Sequence, residues 1–295
     1  MTDWRDRIEQ FDSREEWLKA RRTGIGASEW AAILNVDGAF RSAFETWADK
    51  TGKTELETEV PEFVQWGARL EPMIAAEFSE RIEKPVVTYD NAIVRHPDYP
   101  WLYCSPDAHV GQQARAGGEL KNSNAYKRTA WFEGVPLIYQ VQCIASMFVT
   151  GLETWWIAAL IGGNELVYKK LEYDEAAMEF VERAFPALER FWKRVEADEA
   201  PTPKGTDGER KILTGMFPQD VGTYASLPHD HRYVVQRMVE AMATKKEAES
   251  VIEGAKSMTR LAMGEHTYAV IQGLGQFSWK TAKNGVRTLR WKELK

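Results

Sequence analysis

Leu102-Tyr103-Cys104-Ser105-Pro106-Asp107-Ala108-His109-Val110, followed by Ala116-Gly117-Gly118-Glu119-Leu120-Lys121, is the stretch on which the fold turns. Its apolar runs predict strands over Leu102–Cys104, Ala108–Val110 and Glu119–Lys121, with turn residues between them. Residues two apart on a strand project to one face, so Glu119 and Lys121 point together and Leu120 points away. Asp107 ends a neighbouring strand and can converge on the same face. Carboxylate oxygens are the hard ligands that Mg²⁺ prefers. An ammonium fixed beside them can orient or deprotonate a water, or stabilise charge on a phosphate under attack.

Glu-x-Lys by itself is a weak signal. It occurs at Glu119, Glu209 and Glu293, and only Glu119 follows a Pro-Asp on a neighbouring strand; the other two read as surface charge. From the tripeptide alone, a surface Glu–Lys pair beside a turn aspartate is the commoner interpretation. A rival Pro-Asp at Pro97-Asp98 lies between prolines and reads as a turn.

Working outward, the upstream part is helical. Ser13 caps a short helix to Arg21, and Arg22-Thr23-Gly24-Ile25-Gly26-Ala27-Ser28 is a Gly-rich turn into a helix over Glu29–Leu34. Ser42–Thr51 is a further helix. Pro61 opens a longer one to about Ile82, with Phe63, Trp66, Leu70, Ile74 and Phe78 at helical spacing and a kink or break expected at Pro72. Downstream, Leu137–Val149 is helical, Trp155–Ile161 and Leu166–Leu171 are strands, and Asp174–Ala197 is an amphipathic helix. The segment 201–228 lacks periodicity and reads as a linker or long loop. His231–Met263 is one helix or a broken pair with Gly254 as its weak point, and a hairpin turns at Lys283-Asn284-Gly285. These elements divide the chain into a core over 1–200, the linker over 201–228 and an extension over 229–295.

The composition sets bounds. The 295 residues hold 44% hydrophobic side chains, enough for a sizeable core and too many for disorder. Two cysteines exclude a disulfide framework and a Cys-built zinc or iron–sulfur site. The N-terminus lacks an apolar signal region and no run is long enough to span a membrane, so a cytoplasmic protein is expected. The net charge of −6 is uneven: residues 205–295 hold 14 basic and 10 acidic side chains, leaving 24 against 34 for the rest. An acidic body with a basic tail is compatible with a metal-dependent enzyme on DNA, although such a tail is commonly just a solvated face.

Five segments in order carry a family likeness: Arg22 to Ser28; Trp66-Gly67-Ala68-Arg69-Leu70-Glu71; Cys104-Ser105-Pro106-Asp107; Glu119-Leu120-Lys121; and Tyr139-Gln140-Val141-Gln142. Over roughly residues 13–195 the chain resembles the phage lambda exonuclease and YqaJ-type viral recombinase nucleases, within the PD-(D/E)xK superfamily. The resemblance implies an α/β fold, a central mixed β-sheet flanked by helices, with a C-terminal helical and hairpin extension. It implies that Asp107, Glu119 and the Leu120 backbone carbonyl hold metal, that Lys121 is the catalytic lysine, and that Glu71 supports the metals or the lysine. Arg22, Ser28, Ser105 and Gln140 would form a 5′-phosphate pocket, with Gln142 in a supporting place. The Arg22–Ser28 segment is one residue shorter than its lambda counterpart, which is why Arg22 rather than Arg21 is chosen.

The function expected on this likeness is Mg²⁺-dependent 5′-to-3′ digestion of double-stranded DNA from a 5′-phosphorylated end. Two Mg²⁺ ions, with Mn²⁺ as a substitute, would serve. The products would be 5′-mononucleotides and a 3′ single strand for recombination. A single-strand annealing protein is the implied partner, and a trimeric ring the implied assembly. The alternatives are an endonuclease of the same superfamily and a non-catalytic DNA-binding or recombination-partner module.

Overall fold

The computed structural model describes residues 3–56 and 62–293, and the chain divides into two compact units, Met1–Gln219 and Asp220–Lys295. The predicted opening of a helix at Pro61 lies outside the described residues. The first unit runs β1 (Ile8–Gln10), α1 (Arg14–Arg21), β2 (Ile25–Gly26), α2 (Trp30–Ile33), α3 (Ala43–Lys50), α4 (Glu62–Ile82), β3 (Val86–Thr88), β4 (Ala92–Arg95), β5 (Leu102–Cys104), β6 (Ala108–Val110), β7 (Ala116–Ser123), α5 (Arg128–Glu133), α6 (Leu137–Thr150), β8 (Thr154–Ile161), β9 (Glu165–Glu172), α7 (Glu175–Glu196) and α8 (Asp207–Met216).

This is the mixed α/β architecture expected, built on a five-stranded sheet ordered β3-β6-β7-β8-β9. Only β7 and β8 are parallel, with Glu119 beside Ile157 and Lys121 beside Ala159. A parallel neighbour needs a crossover, and α5 and α6 supply it. The strand alternation sorts two apolar layers. Trp155, Ile157, Ala159 and Ile161 join a core with Val141, Ala145 and Met147 of α6. Leu120 and Ala158 join one with Ile74, Ala75 and Phe78 of α4. Glu119 and Lys121 therefore share the α6 side, and Leu120 the α4 side. Gly117 is needed in β7 because a Cβ there would collide with the Trp155 ring. A second sheet, ordered β1-β4-β5-β2, carries the chain into Ser105 and Asp107.

Helix α4 continues through Pro72 rather than breaking there. Of its expected apolar face, Ile74 and Phe78 are buried, but Trp66 is 48% exposed. The stretch 201–228, read as linker or long loop, contains α8. Thr206 caps this helix, accepting from Glu209 N, while the Glu209 carboxylate reaches back to Thr206 N. That reciprocal box is a legible start signal among otherwise turn-forming residues. Glu209 is not surface charge: it is fully buried, accepting from Ser42 Oγ at 2.5 Å, Lys204 N at 2.7 Å and Gly205 N at 2.6 Å. Its burial is tolerated because Ser42 Oγ and the Lys204, Gly205 and Thr206 amides all donate to it.

The second unit holds α9 (His231–Met263), unbroken at Gly254, then β10 (Tyr268–Ile271), β11 (Gly275–Thr281) and β12 (Arg287–Glu293) in an antiparallel sheet of that order. The predicted hairpin is β11–β12, and β10 adds a third strand. Among the described residues no single helix is long and apolar enough to cross a membrane.

Candidate active site

A cleft of ≈ 910 Å³ opens in the first unit, and Glu71, Ser105, Asp107, Glu119, Leu120, Lys121 and Gln142 line it. Asp107 is held by main chain: its Oδ2 accepts from Leu120 N at 2.8 Å, and its carbonyl accepts from Tyr89 N at 2.9 Å. The bond from Leu120 ties the Asp107 carboxylate to β7 next to Glu119. In extended backbone a residue's N–H and C=O project from the same strand edge, so the Leu120 carbonyl faces the Asp107 side.

The Lys121 ammonium donates to Glu119 Oε1 and lies 3.9 Å from Asp107 Oδ2, so both carboxylates converge on one cation. Glu119 Oε1 also accepts from Gln142 Nε2 at 2.5 Å, whereas Glu119 Oε2 is buried without a hydrogen-bond partner among the described residues. Only 2% of Glu119 is exposed. Burial, then the neighbouring Asp107, push its carboxyl up to about 8, against the opposing pull of Lys121. Burial lowers the Lys121 pKa, but the Glu119 and Asp107 carboxylates outweigh it and hold the ammonium above the ordinary lysine value. Glu71 comes from α4, on the other side of the sheet, and meets the cleft near Asp107; burial and the Asp107 charge raise its carboxyl to about 7.

Among the described residues no three His, Cys, Asp or Glu side chains are gathered closely enough to enclose a metal unaided. What the cleft offers is an all-oxygen donor set: Asp107, Glu119 with one buried oxygen unpaired, and a main-chain carbonyl. A hard divalent cation suits such donors, and its charge would relieve the crowding that raises both glutamates.

The four residues expected around a 5′-phosphate divide. Ser28 and Ser105 line the cleft, and Ser105 Oγ is buried without a hydrogen-bond partner among the described residues. Arg22 does not line it. Its guanidinium donates to Asp49 Oδ1 at 3.0 Å and to the Thr54 carbonyl at 2.8 Å. Gln140 is likewise turned aside, its Nε2 donating to the Val135 carbonyl at 2.6 Å. Arg21 lines the cleft in place of Arg22, with its guanidinium 4.5 Å from the Trp17 ring centre. Arg14, Trp17, Leu18 and Arg21 follow helical spacing and all face the opening, so the periodicity of α1 held the signal that separates Arg21 from Arg22. Ile138, Tyr139, Gln142 and Ser146 do the same on α6, which sets Gln142 in the cleft and Gln140 outside it.

Behind the opening, sequence reading missed a buried support. The Lys50 side chain, fully buried, pairs with Glu29 Oε1 at 2.7 Å and donates to the Arg21 carbonyl at 2.7 Å. Glu29 Oε2 accepts from Gly26 N at 2.7 Å. Together these hold the Arg21–Ser28 turn.

Comparison with known proteins gives a family and a fold. The family described as YqaJ-like viral recombinase domain matches residues 16–153. The uncharacterized protein YqaJ of Bacillus subtilis (strain 168) is 31% identical over 288 residues, spanning 95% of this chain and 88% of that protein. An alkaline exonuclease, LHK-Exo, from Laribacter hongkongensis shares the fold with a TM-score of 0.52 at 21% identity, over 63% of this chain and 94% of that one. The same enzyme in complex with dAMP gives the same values. The chain belongs to the YqaJ-like viral recombinase family.

Proposed function

We propose that the chain is a metal-dependent deoxyribonuclease that digests double-stranded DNA from a 5′-phosphorylated end, releasing 5′-mononucleotides and leaving a 3′ single strand. The observation that carries this reading is the convergence of Asp107, Glu119 and Lys121 in one cleft, with a buried Glu119 oxygen left unpaired. Asp107, Glu119 and the Leu120 carbonyl would hold Mg²⁺, one ion or two, with Mn²⁺ able to replace it, and Glu71 would support them. The bound metal would supply Lewis-acid stabilisation of the attacked phosphate and of the leaving oxygen.

The chain's own residues do the rest. Lys121, drawn toward both carboxylates, would stabilise negative charge on the phosphate and orient or deprotonate the attacking water. Gln142 and Lys121 hold one Glu119 oxygen and leave the other for a ligand. Arg21, Ser28 and Ser105 would grip the terminal 5′-phosphate, since a guanidinium and two hydroxyls all donate to phosphate oxygens. Capture of an end in this way makes digestion run 5′ to 3′. The family likeness supports a ring of three copies around DNA, a single-strand annealing protein as partner, and action in the cytoplasm.

Digestion of end-labelled linear duplexes, phosphorylated or not at the 5′ end, tests this in Mg²⁺, in Ca²⁺ and in chelator. Mg²⁺-dependent release of mononucleotides, faster from the phosphorylated end, is expected. Cleavage of a covalently closed circle would replace the proposal with an endonuclease. Binding without any Mg²⁺-dependent release would reduce the protein to a DNA-binding module.

A further inference from the structure

Hydrolysis in the cleft gives no role to the sheet of the second unit, whose two faces differ in kind. Tyr268 pairs with Ser278, Ser278 with Arg290, Gln276 with Lys292, and Lys280 with Thr288. Paired residues share a face and consecutive ones do not. Lys280, Arg290 and Lys292 therefore stand on one face with Tyr268, an exposed Val270 and a row of hydroxyl and amide side chains. All three cations are exposed, and Tyr268 is 52% exposed. The other face carries Phe277, Trp279, Leu289 and Trp291. Arg287 locks it, 3.7 Å from the Trp279 ring centre and donating to the Gly264 and His266 carbonyls at 2.9 and 2.8 Å.

Among the described residues this face has no acidic side chain: Glu293 pairs with Gly275 on the opposite side. Among the described residues the unit's ion pairs, Lys245–Glu249, Lys256–Glu253 and Arg260–Glu253, lie on α9, and none joins Lys280, Arg290 or Lys292. Lys280 Nζ lies 4.9 Å from the Tyr268 ring centre, which puts a cation beside an exposed aromatic plane.

We propose that this face binds single-stranded DNA. Charge complementarity selects a polyanion, and three features select a single strand over a duplex. Arg290 and Lys292 are two strand positions apart, about 7 Å, a step comparable with the phosphate spacing of an extended single strand. Three strands make a face only about 10 Å across, wide enough for one extended chain. An exposed Tyr ring stacks on an unpaired base and has no such contact with a base inside a duplex. The proposal rests on the nuclease reading in one respect: resection would supply the single strand bound here.

The test uses the full chain and a labelled short oligothymidylate, with a duplex of equal length as comparison, in chelator so that nothing is cut. Anisotropy is followed against salt concentration. The triple variant Lys280→Ala/Arg290→Ala/Lys292→Ala should weaken binding to oligothymidylate and flatten the log–log salt slope by about 2, since each phosphate contact contributes about 0.7 on single strands. Tyr268→Ala should weaken it about tenfold while Tyr268→Phe retains it, as stacking requires. Circular dichroism checks that the variants fold, and the corresponding triple Gln variant, which keeps polar side chains, should show the same flattening. An unchanged salt slope in both triple variants, or a larger loss on duplex than on oligothymidylate, overturns the proposal. Mg²⁺-dependent cleavage is scored separately: a wild-type chain that binds oligothymidylate through these residues but never cleaves refutes the nuclease and leaves the binding face standing.

Discussion

Glu119 should make the metal-free protein lose stability as pH rises, the reverse of the usual behaviour of a carboxylate in an ion pair. Its carboxyl titrates at 4.5 in the unfolded chain and at about 8 in the cleft. Below 4.5 both states are protonated and there is no penalty. Between the two values the folded state holds a proton that the unfolded state has released, so stability falls by up to ~1.4 kcal/mol per pH unit. Over the whole window the ceiling is about 5 kcal/mol. Glu71, raised to about 7, acts in the same direction, but both glutamates respond to Asp107 and their effects do not add. His96 and His109, both lowered by burial, contribute with the opposite sign, which is why a difference measurement is needed. Urea unfolding of wild type and Glu119→Gln, in chelator across this window, isolates the group. Tryptophan fluorescence reports mainly on the first unit, because 10 of the 12 tryptophans remain after Trp279 and Trp291 are subtracted. Glu119→Gln should remove most of the pH slope and, at acid pH, cost about 1–3 kcal/mol for an amide left unpaired where Oε2 now lies. Adding Mg²⁺ should flatten the wild-type slope and leave the variant unaffected. Parallel pH profiles for the two proteins would refute the argument that Glu119 is buried as an acid awaiting a cation.

Other expectations concern single residues. Lys121→Ala should abolish nucleotide release while retaining duplex binding in chelator, as read by gel shift; wild-type turnover would remove Lys121 from the chemistry. Arg21→Ala should erase the rate preference for phosphorylated over hydroxyl 5′ ends, whereas Arg22→Ala should keep that ratio, because Arg22 is engaged by Asp49 and Thr54. Glu209→Ala should cost about 3 kcal/mol in urea unfolding, since it leaves Ser42 and several main-chain donors unpaired beneath α8. Gly117→Ala should destabilise by about 1–3 kcal/mol through overlap with the Trp155 ring, and Gly118→Ala, which meets the Ala108 Cβ at 3.4 Å, should cost less.

Much of the site was legible because it depends on short-range backbone geometry. The two-residue period of β7 puts Glu119 and Lys121 on one face wherever the strand sits, and apolar runs bounded by turn residues locate β5, β6, β8 and β9. The same locality explains the caps at Ser13 and Ser42. What the one-dimensional pattern left open is rotation and distance. Arg21 and Arg22 are chemically identical neighbours: helical spacing aligns Arg21 with Arg14, Trp17 and Leu18, but only the packing of α1 makes that line the one that faces the cleft and leaves Arg22 to Asp49. Gln140 and Gln142 separate in the same way on α6. Glu209 reads as surface charge until a partner 167 residues earlier, Ser42, arrives beside it. Strand β10 carries Tyr268, Val270 and Ile271, strand formers that sequence reading passed over, and it pairs with β11. Local stereochemistry determined which residues could act together; long-range packing, which sets the burial and partners of each side chain, decided which of them do.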